Sequence, residues 1–568
     1  MLYSSLAKTY NELESTPKRL EKTTILSKFL IQLSEEDADV IYLILGKIFP
    51  NYDARKIGIS EQLIIKALGK STGSSKEEIV NQWKELGDLG KVAEKLTQGK
   101  SQSTLHSSEL KTEKVLENLR KLPELEGQGT VDKKISLITE LLTSAKPQEA
   151  KYLVRTILGD LRIGTQESTI RDSFVEAFFK ESEKIEAKKI IQSALDKSND
   201  LGKIFELSKK SDLKNLEKVS VKIGNPIKVM LAQKVPTIAD GFKKVGTPAA
   251  IEYKYDGFRL IIHKDTSGKI DLFTRRLENV TTQFPEVAEY VKEFVKGKDF
   301  ILDSEAIGFD KKTKEYKPFQ DISQRIKRKH NIEEIQKKLP IEINVFDIIF
   351  YEGKTLLDKP FQERSELIRK IIKDQPYKIV SSKQIITSDE KEAEEFYAKA
   401  LDDNQEGVMM KNLSAIYQPG SRVGHMLKIK PDERDLDLVI TGAEWGKGKR
   451  SGWLTSFIIS CYDETSESYK EIGKVSTGLK EKSSEGMSYE ELSKILKPFI
   501  KKETGRTLEV EPKIVLSITY QEIQKSPTYS SGFALRFPRF TVLRPDRTAE
   551  TISTLKEIKE DYEKQSGN

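Results

Sequence analysis

The sequence predicts a multi-domain fold: an all-α segment over residues 1–215, an α+β segment over 216–430 and a small β-barrel over 431–568. Three observations predict it. Apolar residues recur at helical spacing as far as about residue 215, as in Ile25, Leu26, Phe29, Leu30 and Leu33, the period of a helix with one buried face. That periodicity stops within residues 214–225, where Gly224-Asn225-Pro226 interrupts any regular element. Beyond residue 435, DLVITGAEW, WLTSFIISCY, YKEIGKVST and IVLSITYQEI alternate apolar and polar residues between Gly-rich or charged turns, which suits a closed antiparallel sheet.

A length of 568 residues requires more than one core. Hydrophobic residues, at 37%, suffice for such cores, and charged residues, at 33%, keep the chain soluble. The net charge of +7 permits a polyanionic partner without demanding one. The single cysteine, Cys461, excludes internal disulfides and four-cysteine zinc sites and suits a reducing cytoplasm. The first residues, MLYSSLAKTYNELEST, lack the apolar core of a signal peptide. The longest apolar run, residues 40–45, is far short of the ~20 residues of a membrane helix.

Within the helical segment, Ser34 before Glu35-Glu36-Asp37 has the composition of an N-cap. Ala150, Leu153, Val154, Ile157 and Leu158 form another helical face, ended by Gly159. Residues 57–61, IGISE, align without gaps with 163–167, IGTQE, and Ile64 then matches Ile170. Each follows a Leu-Gly pair, at 45–46 and 158–159. The echo fits a duplicated helical unit, and it fits chance nearly as well. Residues 95–110, KLTQGKSQSTLHSSEL, read as an exposed polar loop. The middle segment predicts strands at 249–254, 258–263, 299–307, 341–350 and 406–411, and helices at 285–295, 331–338, 361–373 and 389–401. The final TLKEIKEDYEKQSGN reads as a charged, fraying helix.

In IEYKYDGFRL, residues 251–260, Ile251, Tyr253 and Tyr255 alternate with Glu252 and Lys254, and Asp256-Gly257 forms a turn. Lysine is a nucleophile at neutral pH only where burial or neighbouring cations favour the free amine. Later stretches supply such a setting. ILDSEAIGFD carries Asp303 and Glu305 on one face at a strand end; NVFDIIFY sets Phe346 beside Asp347; QEGVMMKN runs from Glu406 through Lys411. HMLKIKP alternates Lys428 and Lys430 with Leu427 and Ile429, and ALRFPRFTVLRPDRTAE gathers Arg536, Arg539, Arg544 and Arg547 with Asp546. Singly, each has an ordinary structural reading: a solvated face, a turn, a core aromatic. In order, they specify a lysine amine that attacks the α-phosphorus of a nucleotide. Lys428 and Lys430 neutralise the α-phosphate and favour the free amine of Lys254 by like charge. Glu305 and Glu406 offer oxygen ligands to Mg²⁺, and Phe346 stacks the base. The chain has no GxxxxGK[ST] motif, so no P-loop cradles the phosphates.

With these motifs in this order, the sequence resembles the covalent nucleotidyltransferases, and most closely an ATP-dependent DNA ligase of the archaeal and eukaryotic type. EYKYDGFR, FTRRLENVTTQFPE, ILDSEAIGFD, VFDIIFY, EGVMMKN and MLKIKP follow the family's order, PIKVMLAQ resembles its entry into the catalytic domain, and ALRFPRFTVLRPDR its C-terminal motif. EAKYLVRTILGDLRIGTQESTI resembles its helical DNA-binding domain. The resemblance implies a helical DNA-binding domain, an ATP-grasp-like adenylation domain and a mobile OB-fold domain. It implies ATP and Mg²⁺, with Mn²⁺ as a substitute, and nicked double-stranded DNA as substrate in replication, repair and recombination, in a monomer associated with an archaeal nucleoid. By motif, Glu252 accepts from the adenine N6 amino group, and Arg259 and Arg275 bind the ribose and the phosphates, or later the nick 5′-phosphate. Arg422 joins the nucleotide contacts, and Arg544, Asp546 and Arg547 cover the pyrophosphate. Three departures stand out: Met426 where tryptophan is usual, Arg275-Arg276 for a commoner Arg-Asn, and Arg547 for lysine. RNA ligases and mRNA guanylyltransferases use the same lysine chemistry and remain the alternative. Related ligases carry a sliding-clamp peptide near residues 100–110; here Gln102 is present, with Leu105 and His106 in place of aromatics.

Overall fold

A computed structural model describes residues 1–99, 109–127, 129–317, 319, 322, 325–326, 328, 331–431 and 434–565. Gln102, Leu105 and His106 therefore lie outside the described residues. The chain forms two compact units, one of Met1–Ile64 with Thr104–Pro431, the other of Ile65–Ser103 with Asp432–Asn568.

The first unit begins with helices. Tyr3–Ser15 buries Tyr3, Leu6, Tyr10 and Leu13 on one stripe, and Arg19–Gln32 buries Leu26, Phe29 and Leu30. The expected cap at Ser34 forms through Asp37, whose carboxylate accepts from the Ser34 amide at 2.9 Å and hydroxyl at 2.8 Å, but it closes a short 3-10 turn, Glu35–Asp37, and the helix that follows, Val40–Leu43, is brief. Gly46, in the left-handed region at φ 67°, turns the chain soon afterwards. Helix Pro147–Ile157 is buried from Glu149 to Ile157. The internal echo is also an echo of backbone geometry. Gly46 and Gly159 lie at φ 67° and 69°, and Gly58 and Gly164 at 64° and 62°. The next helices start at Glu61 and Glu167, and Ile64 and Ile170 are both fully buried.

The rest of this unit holds two sheets. Its strands are β1 Leu231–Lys234, β2 Ala249–Lys254, β3 Phe258–Lys264, β4 Ile270–Thr274, β5 Phe300–Phe309, β6 Tyr316–Lys317, β7 Ile341–Tyr351, β8 Lys354–Thr355, β9 Ile379–Ser381, β10 Gln384–Thr387, β11 Gly407–Asn412 and β12 Arg422–Ile429. One sheet has the order β1-β12-β11-β2-β10; the other runs β4-β3-β5-β7-β8, with β6 on β5 and β9 on β7. Helices Pro285–Phe294, Ile332–Lys338, Phe361–Ile371 and Glu390–Asp402 form where the spacing predicts them. One difference bears on the site. Asp303 and Glu305 lie in the middle of β5, not at its end, because Ala306, Ile307 and Phe309 continue into the core.

In the second unit, β13 Arg434–Trp445, β14 Leu454–Asp463, β15 Ser468–Val475, β16 Ile500–Thr504, β17 Thr507–Val510, β18 Val515–Tyr520, β19 Glu522–Lys525, β20 Phe533–Arg536 and β21 Arg539–Leu543 make a curled antiparallel sheet and a hairpin. β13 pairs with β18 along its first half and with β17 along its second. Its ladder with β14 shifts register between Ile440 and Gly442, which bends the strand. The curled sheet wraps Leu438, Ile440, Phe457, Ile459, Leu516 and Ile518. Alternation alone did not announce helix Tyr489–Leu496, which is capped by Ser488 and buries Leu492 and Leu496. The predicted last helix forms as Leu555–Gln565. Among the described residues no helix is long and apolar enough to cross a membrane.

Candidate active site

Lys254 ends β2, and β3 begins in the other sheet, so the turn Tyr255-Asp256-Gly257 carries the chain from one sheet to the next. Alternation sorts β2 as the sequence predicts. Tyr253 and Tyr255 pack into an apolar cluster with Ile251, Val408 and Ile429, which leaves Glu252 and Lys254 for the opposite face. Cross-strand register then builds rows on that face. Glu252 lies opposite Met409, and Met409 opposite Lys428. Lys254 lies opposite Gly407. A side chain could not replace the glycine: a Cβ on Gly407 would approach the Ile429 carbonyl oxygen to 2.2 Å and the Cα of Lys430 to 3.1 Å.

The turn is equally constrained. The Asp256 amide donates to Gln405 Oε1 at 3.2 Å, and its carboxylate accepts from the Phe319 amide at 3.2 Å. Gly257 passes so close to β5 that a Cβ there would lie 2.3 Å from the Ala306 carbonyl oxygen and 3.0 Å from Glu305 Cγ. The Asp-Gly pair thus fixes the turn that follows the lysine.

Lys254 Nζ contacts Glu406 Oε2 at 2.6 Å, and the Glu406 amide donates to the Lys254 carbonyl at 2.9 Å. Glu305 joins from the second sheet, opposite Arg259 in the β3–β5 ladder. It keeps some access to solvent, yet burial pushes its carboxyl up to about 8, against the pull of Lys254 and Arg259 and with the help of Glu406 and Asp303. Two carboxylates from different sheets therefore meet at one lysine. No group of three or more His, Cys, Asp or Glu among the described residues is arranged around a common metal position. The pair still fits a hard divalent cation such as Mg²⁺, which commonly takes one or two protein carboxylates and completes its shell with water and phosphate.

Phe346 sits at a bulge. Asp303 pairs with Asp347 and Ser304 with Val345, so Phe346 is the extra residue of β7. The bulge re-aims its ring, which lies between the Arg259 guanidinium, 5.2 Å from the centroid, and Lys411 Nζ, 5.0 Å away. Arg259 is clamped by both Asp303 oxygens and by the Met230 carbonyl at 3.0 Å. Burial opposes its charge, but Asp303 outweighs it and holds the guanidinium above its ordinary pKa. Glu252 is buried, paired with Lys411 at 2.6 Å, and accepts from Gln384 Nε2 at 2.8 Å.

The structure thus brings together Glu252, Lys254, Arg259, Glu305, Phe346 and Glu406, with Lys428 on β12 of the same sheet as Lys254 and Lys430 just past that strand's end. Arg422 opens β12. Arg275 is exposed just past β4. Arg544, Asp546 and Arg547 belong to the second unit. There Arg544 bridges Asp437, at 2.8 Å, and Asp546, at 2.7 Å, and Arg547 lies 3.5 Å from Asp437. Sequence reasoning missed Gln384 and Tyr417, whose hydroxyl donates to Asp303 at 2.9 Å. Gln384 is on a short edge strand and Tyr417 in a loop, so neither carries a periodic signal. It also left Asp347 beside Phe346 without a role. Asp347 is the buried partner of Arg364, at 2.7 Å.

Comparison with known proteins agrees with this architecture. Residues 2–175 match the family model for the DNA ligase N terminus, 229–430 the ATP dependent DNA ligase domain and 450–547 the ATP dependent DNA ligase C terminal region. The DNA ligase of Nanoarchaeum equitans (strain Kin4-M) is 43% identical over 569 residues, covering 100% of this chain and 99% of the relative. That of Thermococcus fumicolans is 39% identical, covering 99% and 98%, and that of Methanocaldococcus jannaschii 39% identical, covering all of both chains. The solved structure of Pmar-Lig_Pre shares the fold, with a TM-score of 0.60 at 19% identity over 95% of this chain and 99% of that one. With full-length relatives at this identity and three family domains in order, the chain belongs to the ATP-dependent DNA ligase family.

Proposed function

We propose that the chain seals nicks in duplex DNA with ATP through a covalent Lys254–AMP intermediate. As a member of its family it is a DNA ligase, and the RNA ligase and guanylyltransferase alternatives are not favoured, since the named relatives along the whole chain are DNA ligases. The observation that supports the role of Lys254 is its contact with Glu406 beside Glu305, at the crossing of the two sheets.

In the first step the Lys254 nitrogen leaves its contact with Glu406, releases a proton to solvent and bonds to the α-phosphorus. The α–β phosphoanhydride breaks and pyrophosphate leaves. In the second, the 5′-phosphate at the nick bonds to the AMP phosphorus and the P–N bond breaks. In the third, the 3′-hydroxyl attacks the activated 5′-phosphate, a phosphodiester forms and AMP leaves. Such transfers depend on positioning and charge neutralisation. Lys428 and Lys430 supply cations toward the α-phosphate, Phe346 a face for the base, Glu252 an acceptor for the adenine amino group, and Arg259 a rigid cation beside the ribose. Arg275 and Arg422 are additional phosphate and ribose contacts. Glu305 and Glu406 hold the divalent cation, Mg²⁺ or Mn²⁺, which when bound supplies positive charge to the phosphate oxygens. The curled sheet of the second unit is read as an OB-fold that brings Arg544, Asp546 and Arg547 over the pyrophosphate. DNA is held through its phosphates, because a ligase acts on any sequence. The chain works as a monomer in an archaeal cytoplasm, at the nucleoid, with residues 100–110 as a contact for the sliding clamp; a clamp pull-down that Gln102→Ala leaves unchanged would remove that contact.

The test is incubation with α-labelled ATP and Mg²⁺ followed by a denaturing gel. Wild type forms an acid-labile adduct. Lys254→Ala forms none and still binds nicked duplex. An adduct in Lys254→Ala overturns the assignment, and a GMP adduct without an AMP adduct overturns the ligase reading.

A further inference from the structure

Glu252 is not left to find its own orientation. Gln384 lies directly opposite it in the β2–β10 ladder and donates through Nε2 to Glu252 Oε1 at 2.8 Å. The Gln384 oxygen in turn accepts from Ser365 Oγ at 3.2 Å. Ser365 Oγ accepts from Arg369 Nη1 at 2.9 Å, and a guanidinium can only donate. The serine proton is therefore committed to the amide oxygen, and the amide nitrogen must face the carboxylate. Arg369 is itself fixed by the Ser365 carbonyl at 3.2 Å and the Ser382 carbonyl at 3.1 Å. On its other side Glu252 meets the Lys411 ammonium at 2.6 Å, and both side chains are almost fully buried.

Every partner of Glu252 in this chain of contacts is a donor. Facing an ammonium and an amide N–H, the carboxylate oxygens act as acceptors, with two of their four lone-pair positions left for a ligand. An acceptor fixed in this way suits the exocyclic amine of a 6-aminopurine. It repels the carbonyl oxygen of a 6-oxopurine, which would have to lie against it without a proton between them.

We infer that Gln384, oriented by Ser365 and Arg369, is a positioning residue that makes Glu252 select a 6-aminopurine nucleotide over a 6-oxopurine. The inference rests on the reading of Glu252 as the base contact. The test is single-turnover formation of the Lys254 adduct by the full-length chain with Mg²⁺, using ATP and ITP side by side. ITP replaces the 6-amino group by oxygen and leaves the sugar and phosphates unchanged. Wild type favours ATP by about 100-fold or more, as expected of a site built to hydrogen-bond an amino group. Gln384→Leu lowers that preference roughly tenfold, the size of one oriented hydrogen bond to a charged group, through a higher KM for ATP with ITP unchanged. Ser365→Ala lowers it in the same direction, by less. Gln384→Glu places two carboxyls side by side, which share a proton and can donate to the 6-oxo group, so ITP use rises. A merely structural glutamine would slow both nucleotides in parallel. That result, or an unchanged ATP-to-ITP ratio in Gln384→Leu and Gln384→Glu, overturns the inference. Should the Gln384 variants fail to fold, an unchanged ratio in Ser365→Ala does so. A wild type that forms no adduct with either nucleotide overturns the lysine reading on which the inference stands.

Discussion

Replacing Gly257 by alanine isolates what the turn after the lysine contributes. The added methyl would sit 2.3 Å from the Ala306 carbonyl oxygen, against the 3.4 Å at which ordinary contact begins, so about 1 Å of movement is needed. β5 cannot supply it, because it is paired on one side by β3 from Phe258 to Lys264 and on the other by β7 from Ile341 to Tyr351. The turn must yield, three residues from Lys254 Nζ and with Glu305 Cγ also only 3.0 Å from the new methyl. Overpacking of this kind costs about 1–3 kcal/mol, which the domain survives. A displacement of about 1 Å in a reacting group costs on the order of 100-fold in rate. The assay is rapid-quench adenylation with α-labelled ATP, alongside circular dichroism and binding of nicked duplex. The expected result is adduct formation slowed about 100-fold with fold and duplex binding retained. A Gly257→Ala protein that is adenylated at the wild-type rate would refute the claim that the close approach to β5 positions the lysine.

Two further predictions concern stability. His263 is buried, its Nδ1 accepts from the Gly224 amide at 2.9 Å and its Nε2 finds no partner among the described residues; burial pushes it down to about 3, against a weak pull from Asp271. The unfolded chain takes up a proton below about pH 6.5 while the native chain does not, so this stability is complete above pH 6.5 and falls by about 1.4 kcal/mol per unit as pH drops toward 3; His263→Gln should lose one proton's worth of that slope in chemical denaturation at pH 5–7, and an identical slope would count against the assignment. Asp347→Ala strands the buried Arg364 and should cost about 3–5 kcal/mol, with the Asp347→Leu/Arg364→Met pair recovering most of it; equal stability of Asp347→Ala and wild type would contradict this.

The sequence displayed what repeats. Helical spacing announced the helices of the first segment, and alternation placed Glu252 and Lys254 on the face opposite Tyr253 and Tyr255. It could not display what depends on single contacts. β1, β9 and β10 are three or four residues long and lie at or near sheet edges, too short for a period to register. The bulge at Phe346 breaks the very alternation used to read β7. Tyr417 is fixed by Asp303 from a distant strand, and no local pattern marks such a partner.

The acids of the catalytic domain show how the structure sharpens the motif reading. Five of the motif carboxylates divide by their partners: Glu252, Asp303, Glu305, Asp347 and Glu406. Three have a dedicated cation that is buried or largely so. Glu252 has Lys411, Asp303 has Arg259 and Asp347 has Arg364. Recruiting any of these to a metal would strand a buried cation, which is costly. Glu305 forms no direct ion pair among the described residues, and Glu406 pairs with the nucleophile itself. That division, invisible in ILDSEAIGFD where Asp303 and Glu305 look alike, predicts opposite behaviour for neighbouring conservative changes. Asp303→Asn leaves the largely buried Arg259 beside a neutral amide and should lower stability by about 3 kcal/mol. Glu305→Gln replaces a carboxyl that burial has already pushed up to about 8. Its amide isostere keeps the shape of the group and strands no paired cation, so it should cost clearly less stability than Asp303→Asn while slowing the cation-dependent adduct. Chemical denaturation and adduct formation on the two variants separate the roles. Equal destabilisation by both changes, or wild-type adduct formation in Glu305→Gln, would show that the two acids are not divided between scaffold and chemistry.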